Sequence, residues 1–117
     1  MILDWIKCET NQWCNFFNLT LSHSHFDGLE GVYIIWHGAP NPTVVYVGQG
    51  NIRDRLTAHR NEPAITAFGL YYTLYVTWVS VPAISRDGVE RYLADYWNPL
   101  VGSNRPQVTQ IPVNQPF

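Results

Sequence analysis

Two tyrosines thirteen positions apart, Tyr33 and Tyr46, sit in matching tripeptides, Gly31-Val32-Tyr33 and Tyr46-Val47-Gly48. Arg55 and His59 follow at i and i+4, a spacing that shares one helix face. Glu90 stands later, beside Val89 and Leu93 in a second helical pattern. Tyrosine, arginine, histidine and glutamate are the groups a metal-assisted phosphodiester cleavage would use. Its transition state gains charge on the non-bridging oxygens, so a fixed guanidinium and a cation both help. One carboxylate with several waters is an ordinary Mg²⁺ site, and a carboxylate on the edge of an apolar stripe needs a partner or a metal once partly buried. A phenol with its usual pKa near ~10 is a poor base at neutral pH. A nearby arginine and metal would lower that value by favouring the phenolate. Taken singly, these residues read more plainly: tyrosines as core rings, Arg55 as a solvated helix arginine, His59 as a surface residue.

The elements that must hold them are legible from pattern. Val32 to Trp36 and Thr43 to Gly48 are short apolar runs, joined by the turn signal His37-Gly38-Ala39-Pro40-Asn41-Pro42. An antiparallel hairpin is the expected arrangement. Asn51 can cap the next helix, anchored by Ile52 and Leu56, which must stop before Pro63. Leu70 to Val81 reads as a long third strand by its alternation. A second helix, capped by Ser85, carries the stripe Val89, Tyr92, Leu93, Tyr96 and Trp97, and Asn98-Pro99 ends it. At the start, Thr10 as a cap with Trp13, Phe16 and Phe17 at i, i+3 and i+4 predicts a short N-terminal helix. The proline-rich end should be extended.

At 117 residues the chain makes one domain with a modest core. Its net charge of −2 gives no global positive field for steering onto nucleic acid. The charge is uneven: all six arginines lie beyond residue 50, where they slightly outnumber the acids. Cys8 and Cys14 match no common zinc or redox spacing, and two free thiols in a reducing compartment is the expectation. Residues 63–85 lack charge over a length that could span a bilayer. Pro63, Gly69, Pro82 and the β-branched content fit a strand instead, so no span is expected. No signal-peptide core is visible, and the location expected is cytoplasmic. His23 and His25 read as part of a polar loop.

Through Gly31-Val32-Tyr33, Tyr46-Val47-Gly48, Arg55 with His59, and Glu90 with Pro99 nine residues later, the chain resembles the GIY-YIG nucleases over about residues 31–104. The resemblance implies a small α+β domain with a three-stranded antiparallel sheet flanked by helices. It further implies DNA cleavage in one step with a single divalent cation, Mg²⁺ or Mn²⁺, and RNA is not excluded. Tyr33 would then be the general base or hold the nucleophilic water, with Tyr46 completing the pair. Arg55 would contact the scissile phosphate, His59 would assist proton transfer and Glu90 would bind the metal. Gln49 stands where many members carry a lysine, and Arg53 is the expected substitute for a phosphate contact. Asn104 is the nearest counterpart of the family's late asparagine, with Asn98 second. Gln49, Arg53 and Asn104 are the expected substrate-binding positions. With net charge −2, affinity for DNA should come from a homodimer or a partner protein.

Two other readings stand beside a nuclease. One is a catalytically inactive GIY-YIG-like module that binds nucleic acid or protein. The other is an interaction protein using exposed aromatic surface, because Trp5, Trp13, Trp36, Trp78 and Trp97 need not all fit one small core.

Overall fold

The computed structural model describes residues 1–102 and 104–117. Its centre is a four-stranded antiparallel sheet: β1 (Cys14–Asn15), β2 (Glu30–His37), β3 (Thr43–Asn51) and β4 (Tyr75–Ser80), in the order β1-β4-β2-β3. Helix α1 (Ile52–His59) follows β3, a short α2 (Pro63–Thr66) comes next, and α3 (Ala83–Trp97) follows β4. β2 is an interior strand paired on both edges, and Val32 to Trp36 are all buried. That burial explains why it reads as an unbroken apolar run rather than an alternating one.

The two-residue period of the strands splits the core in two. Tyr33, Ile35, Val45, Val76 and Trp78 face one side, with Phe16, Phe26 and the α1 residues Ile52 and Leu56. Val32, Ile34, Val44, Val47 and Val79 face the other, with Val89 and Leu93 of α3. Each such fully buried aliphatic side chain is worth roughly 1.5–3 kcal/mol in transfer terms. Two glycines let the layers close. A Cβ on Gly31 would run into the Val79 carbonyl of β4, and one on Gly48 would run into the Tyr33 phenol. The glycine of the second tripeptide is therefore the slot that admits the tyrosine of the first.

Several local expectations meet their geometry. The Asn51 side chain accepts from Asp54 N at 3.0 Å, capping α1. Pro63 sits in the first turn of α2, where its missing N–H costs nothing. α3 ends on Asn98, in the left-handed region at φ 49°, just before Pro99. The helix starts earlier than a Ser85 cap would give: Ser85 N instead donates to the Pro82 carbonyl at 2.9 Å.

Three expectations are corrected. The N-terminal helix is absent. Cys14 and Asn15 form β1, which adds a fourth strand to the expected three, and Phe16 is buried while Phe17 is largely exposed. Cys8 and Cys14 are not free thiols but are joined in a disulfide, closing a loop in which Thr10 and Asn11 take φ of 56° and 58°. Left-handed backbone at two successive residues cannot continue a right-handed helix. The third strand covers only Tyr75–Ser80, because residues 67–70 coil into a 3₁₀ turn and Tyr71 N and Tyr72 N both donate to the Phe68 carbonyl.

All five tryptophans pack into the core, Trp36 and Trp78 buried and Trp5, Trp13 and Trp97 partly so, contrary to the crowding expected of them. The C-terminal segment has no helix or strand among its described residues and docks on the N-terminus, with Leu3 N donating to Asn114 Oδ1 at 2.6 Å. No helix among the described residues is long and apolar enough to cross a membrane.

Candidate functional site

Tyr33 projects from the middle of β2 toward α1, over the slot left by Gly48. Ile52 and Leu56 anchor α1 against the sheet, and this turns His59, one helical turn beyond Arg55, inward. The Tyr33 hydroxyl and His59 Nε2 are 2.5 Å apart. Tyr33 is 0% and His59 1% exposed, so His59 is a core histidine and not a surface one. On its other side His59 Nδ1 lies 3.2 Å from Glu62 Oε1. An ionised carboxylate only accepts, which assigns the Nδ1–H tautomer and makes Nε2 the acceptor for the Tyr33 O–H. The Tyr33 oxygen in turn accepts from Arg55 Nε at 3.4 Å, a long and weak bond. Tyr46 from β3 stacks against Tyr33 with centroids 6.1 Å apart and lies 4.5 Å from the His59 ring.

Burial dominates the electrostatics here. It pushes the Tyr33 phenol well above its ordinary value, and Arg55, which favours the phenolate, does not overcome it. Arg55 lowers this phenol's pKa in the expected direction, but desolvation is the larger effect. Burial likewise lowers the His59 imidazolium, with Glu62 opposing the shift and Arg55 reinforcing it. Arg55 itself is raised, first by its bond to the Tyr33 oxygen and also by the Tyr46 hydroxyl.

Glu90 comes from α3 on the far face of the sheet, beside the edge strand β3. A cleft of about 170 Å³ there is lined by Tyr46, Val47, Glu90, Asn104 and Arg105 among others. Tyr46 and Val47 point to opposite faces of β3, so the cleft runs across the edge strand. Glu90 is half-buried, and burial raises its carboxyl while the Gln49 bond partly offsets this. Its charge is felt at both Tyr33 and Arg55. Gln49 Nε2 donates to Glu90 Oε2 at 3.0 Å and also to Asp87 Oδ1.

This donor set suits a hard divalent cation. No ion pair to Glu90 occurs among the described residues, and its Oε2 accepts from Gln49. Mg²⁺ commonly binds through one or two carboxylates and otherwise keeps its waters. Among the described residues no three His, Cys, Asp or Glu side chains converge as a dedicated cage.

The structure thus gathers Tyr33, Tyr46, Arg55 and His59 in one cluster; of these only Tyr46 also lines the cleft of Glu90 and Asn104, and Gln49 bonds to Glu90. Arg53 is directed elsewhere. Its guanidinium donates to the Leu21 and His23 carbonyls at 2.7 and 2.9 Å and pairs with Asp27 at 2.6 Å, which fastens the loop before β2 to α1. A cavity of about 630 Å³ between the N-terminal segment and that loop is lined by none of the expected site residues. Two participants escaped the sequence reading: Glu62, three residues after His59, and Asp87, three before Glu90. Helical spacing is the only signal that could have found them. No family model, curated protein or solved structure matches this chain.

Proposed function

We propose that this chain is a divalent-metal-dependent endonuclease that hydrolyses DNA phosphodiester bonds, with a GIY-YIG-like arrangement of its site. The observation that carries this reading is the Arg55 guanidinium 3.4 Å from the Tyr33 hydroxyl, with Tyr46 stacked on Tyr33 and lining a cleft shared with Glu90. Arginine presents a planar fork matched to phosphate oxygens, and its 3.4 Å bond to Tyr33 is weak enough to exchange for a charged ligand. When Arg55 turns to the scissile phosphate, it uncovers the Tyr33 oxygen.

The Tyr33 hydroxyl then acts as a proton relay. It takes a proton from the attacking water as its own passes to His59 Nε2, so no free phenolate forms. Tyr46, the half-exposed member of the pair, lines the cleft and orients the water or phosphate. Glu90, with Gln49 steadying it and Asp87 beside it, would hold Mg²⁺ or Mn²⁺. Such an ion supplies charge stabilisation at the phosphoryl oxygens when bound. Gln49 and Asn104 border the substrate path. The acidic net charge points to a homodimer or partner protein as the source of DNA affinity.

A second reading, an inactive module that binds nucleic acid or protein, draws on one observation: the Tyr33 hydroxyl is wholly covered in this conformation. Incubating supercoiled plasmid with the protein and Mg²⁺ separates the two. Metal-dependent nicking supports the nuclease, whereas retention of plasmid without any nicking supports the module.

A further inference from the structure

A buried histidine needs its tautomer fixed before it can take a proton at one chosen nitrogen. In this site one nitrogen faces Tyr33 and the other faces Glu62. We propose that Glu62 is a positioning residue, which holds His59 with Nδ1 protonated so that Nε2 receives the Tyr33 proton during phosphodiester attack. This rests on the nuclease reading above.

The geometry is a continuous chain: Glu62 Oε1, His59 Nδ1 at 3.2 Å, His59 Nε2, then the Tyr33 hydroxyl at 2.5 Å. Glu62 is 44% exposed at its side chain, so placing a carboxylate there costs little desolvation. Its backbone is also held, because the Glu62 carbonyl accepts from Ile65 N and Thr66 N at the start of α2, and its N–H donates to the His59 carbonyl at 3.1 Å. Pro63 stiffens the chain at the next residue. The carboxylate therefore approaches the imidazole from a fixed point. The logic is that of an acid–histidine–hydroxyl triad, here with a phenol as the hydroxyl.

The water O–H bond breaks and its proton joins the Tyr33 oxygen, while the former Tyr33 proton bonds to His59 Nε2. The water oxygen bonds to phosphorus, the bond from phosphorus to the leaving oxygen breaks, and that oxygen takes a proton from solvent. The imidazolium left behind is faced by Tyr33 from β2, Tyr46 from β3, Arg55 on its own helix and Glu62 beyond it. Among the described residues, Glu62 offers it a negative counter-charge and Arg55 opposes it.

Two measurements on Glu62→Ala and Glu62→Gln test this. Nitrogen-15 NMR of the imidazoles should find wild-type His59 as the Nδ1–H tautomer, with Glu62→Ala shifting it to a mixture and Glu62→Gln retaining most of it. In plasmid nicking, Glu62→Ala should lower the plateau rate about tenfold, and the acid limb of its pH–rate profile should move to lower pH. A merely structural loss would lower the rate without moving that limb. An Nε2–H tautomer in the wild type overturns the proposal. So does nicking by Glu62→Ala with limb and tautomer unchanged, an outcome that leaves the nuclease reading intact. If wild type never cleaves, the nuclease reading fails and the catalytic use of Glu62 falls with it, even where NMR finds the expected tautomer.

Discussion

The Tyr33 hydroxyl and His59 Nε2 lie 2.5 Å apart on two side chains that solvent does not reach. Each satisfies the other's buried polar atom, and burial keeps both neutral, the phenol by raising its pKa and the imidazole by lowering its own. Removing one partner strands the other. Tyr33→Phe should therefore cost about 1–3 kcal/mol, the desolvation penalty of an unpaired buried acceptor. Thermal melting should record a fall of several degrees, and nicking should be lost. A stable, active Tyr33→Phe would dissolve the relay.

The sign of the pH dependence follows from the same pair. The unfolded chain binds a proton at His59 near the ordinary value of 6.5, whereas the folded chain resists it to lower pH. The contribution of neutral His59 is thus fully present above 6.5 and is lost as pH falls from there through the folded value. Urea midpoints at about pH 7.5 and about pH 5 should differ, and His59→Gln should flatten that difference. Glu90, raised from 4.5 by burial, works in the opposite sense, so subtracting the His59→Gln curve isolates the histidine.

Arg53 separates a structural arginine from a catalytic one. With two loop carbonyls and Asp27 to hold, its replacement by alanine should destabilise by about 1–2 kcal/mol, a figure discounted for partial exposure. Chemical denaturation reads the loss. Under conditions where the variant stays folded, its nicking rate should remain within a few-fold of wild type. A collapse in rate with unchanged stability would return Arg53 to the phosphate.

Much of this site was legible because its residues sit on elements that pattern specifies well. Two apolar runs around a Pro-Asn turn give the hairpin, and Asn51 gives the start of α1, so Tyr33, Tyr46, Arg55 and His59 could be placed without coordinates. Glu90 could be assigned to a helix, but its place in a cleft beside Tyr46 depends on tertiary packing. The environment of each group was not legible. His59 reads as a surface residue by type alone, although its i+7 and i+3 spacing from Ile52 and Leu56 puts it on the packed face of α1. Residues 10–17 misled for another reason. A short apolar pattern suits a helix or a strand equally, and a disulfide with two left-handed residues decides between them.

That disulfide gives a further expectation. In chain-entropy terms, closing the Cys8–Cys14 loop contributes about 2 kcal/mol. Reduction with dithiothreitol should lower the melting temperature by on the order of ten degrees. β1 would loosen first, because Cys14 is one of its two residues. Hydrogen exchange would report this as faster exchange at residues 14–16 than at β2. No change in melting on reduction would mean the bridge holds nothing the sheet does not already hold.

The central claim is metal-assisted cleavage at the Arg55–Glu90 site, and plasmid nicking by wild type, Arg55→Ala and Glu90→Ala tests it most directly. Wild type should convert supercoiled to nicked plasmid with Mg²⁺ or Mn²⁺ and stop with EDTA. Each folded variant should lose about 10²–10³-fold in rate, the usual worth of one charge-stabilising group. Absence of metal-dependent nicking by wild type, or full activity in both variants, would contradict the account.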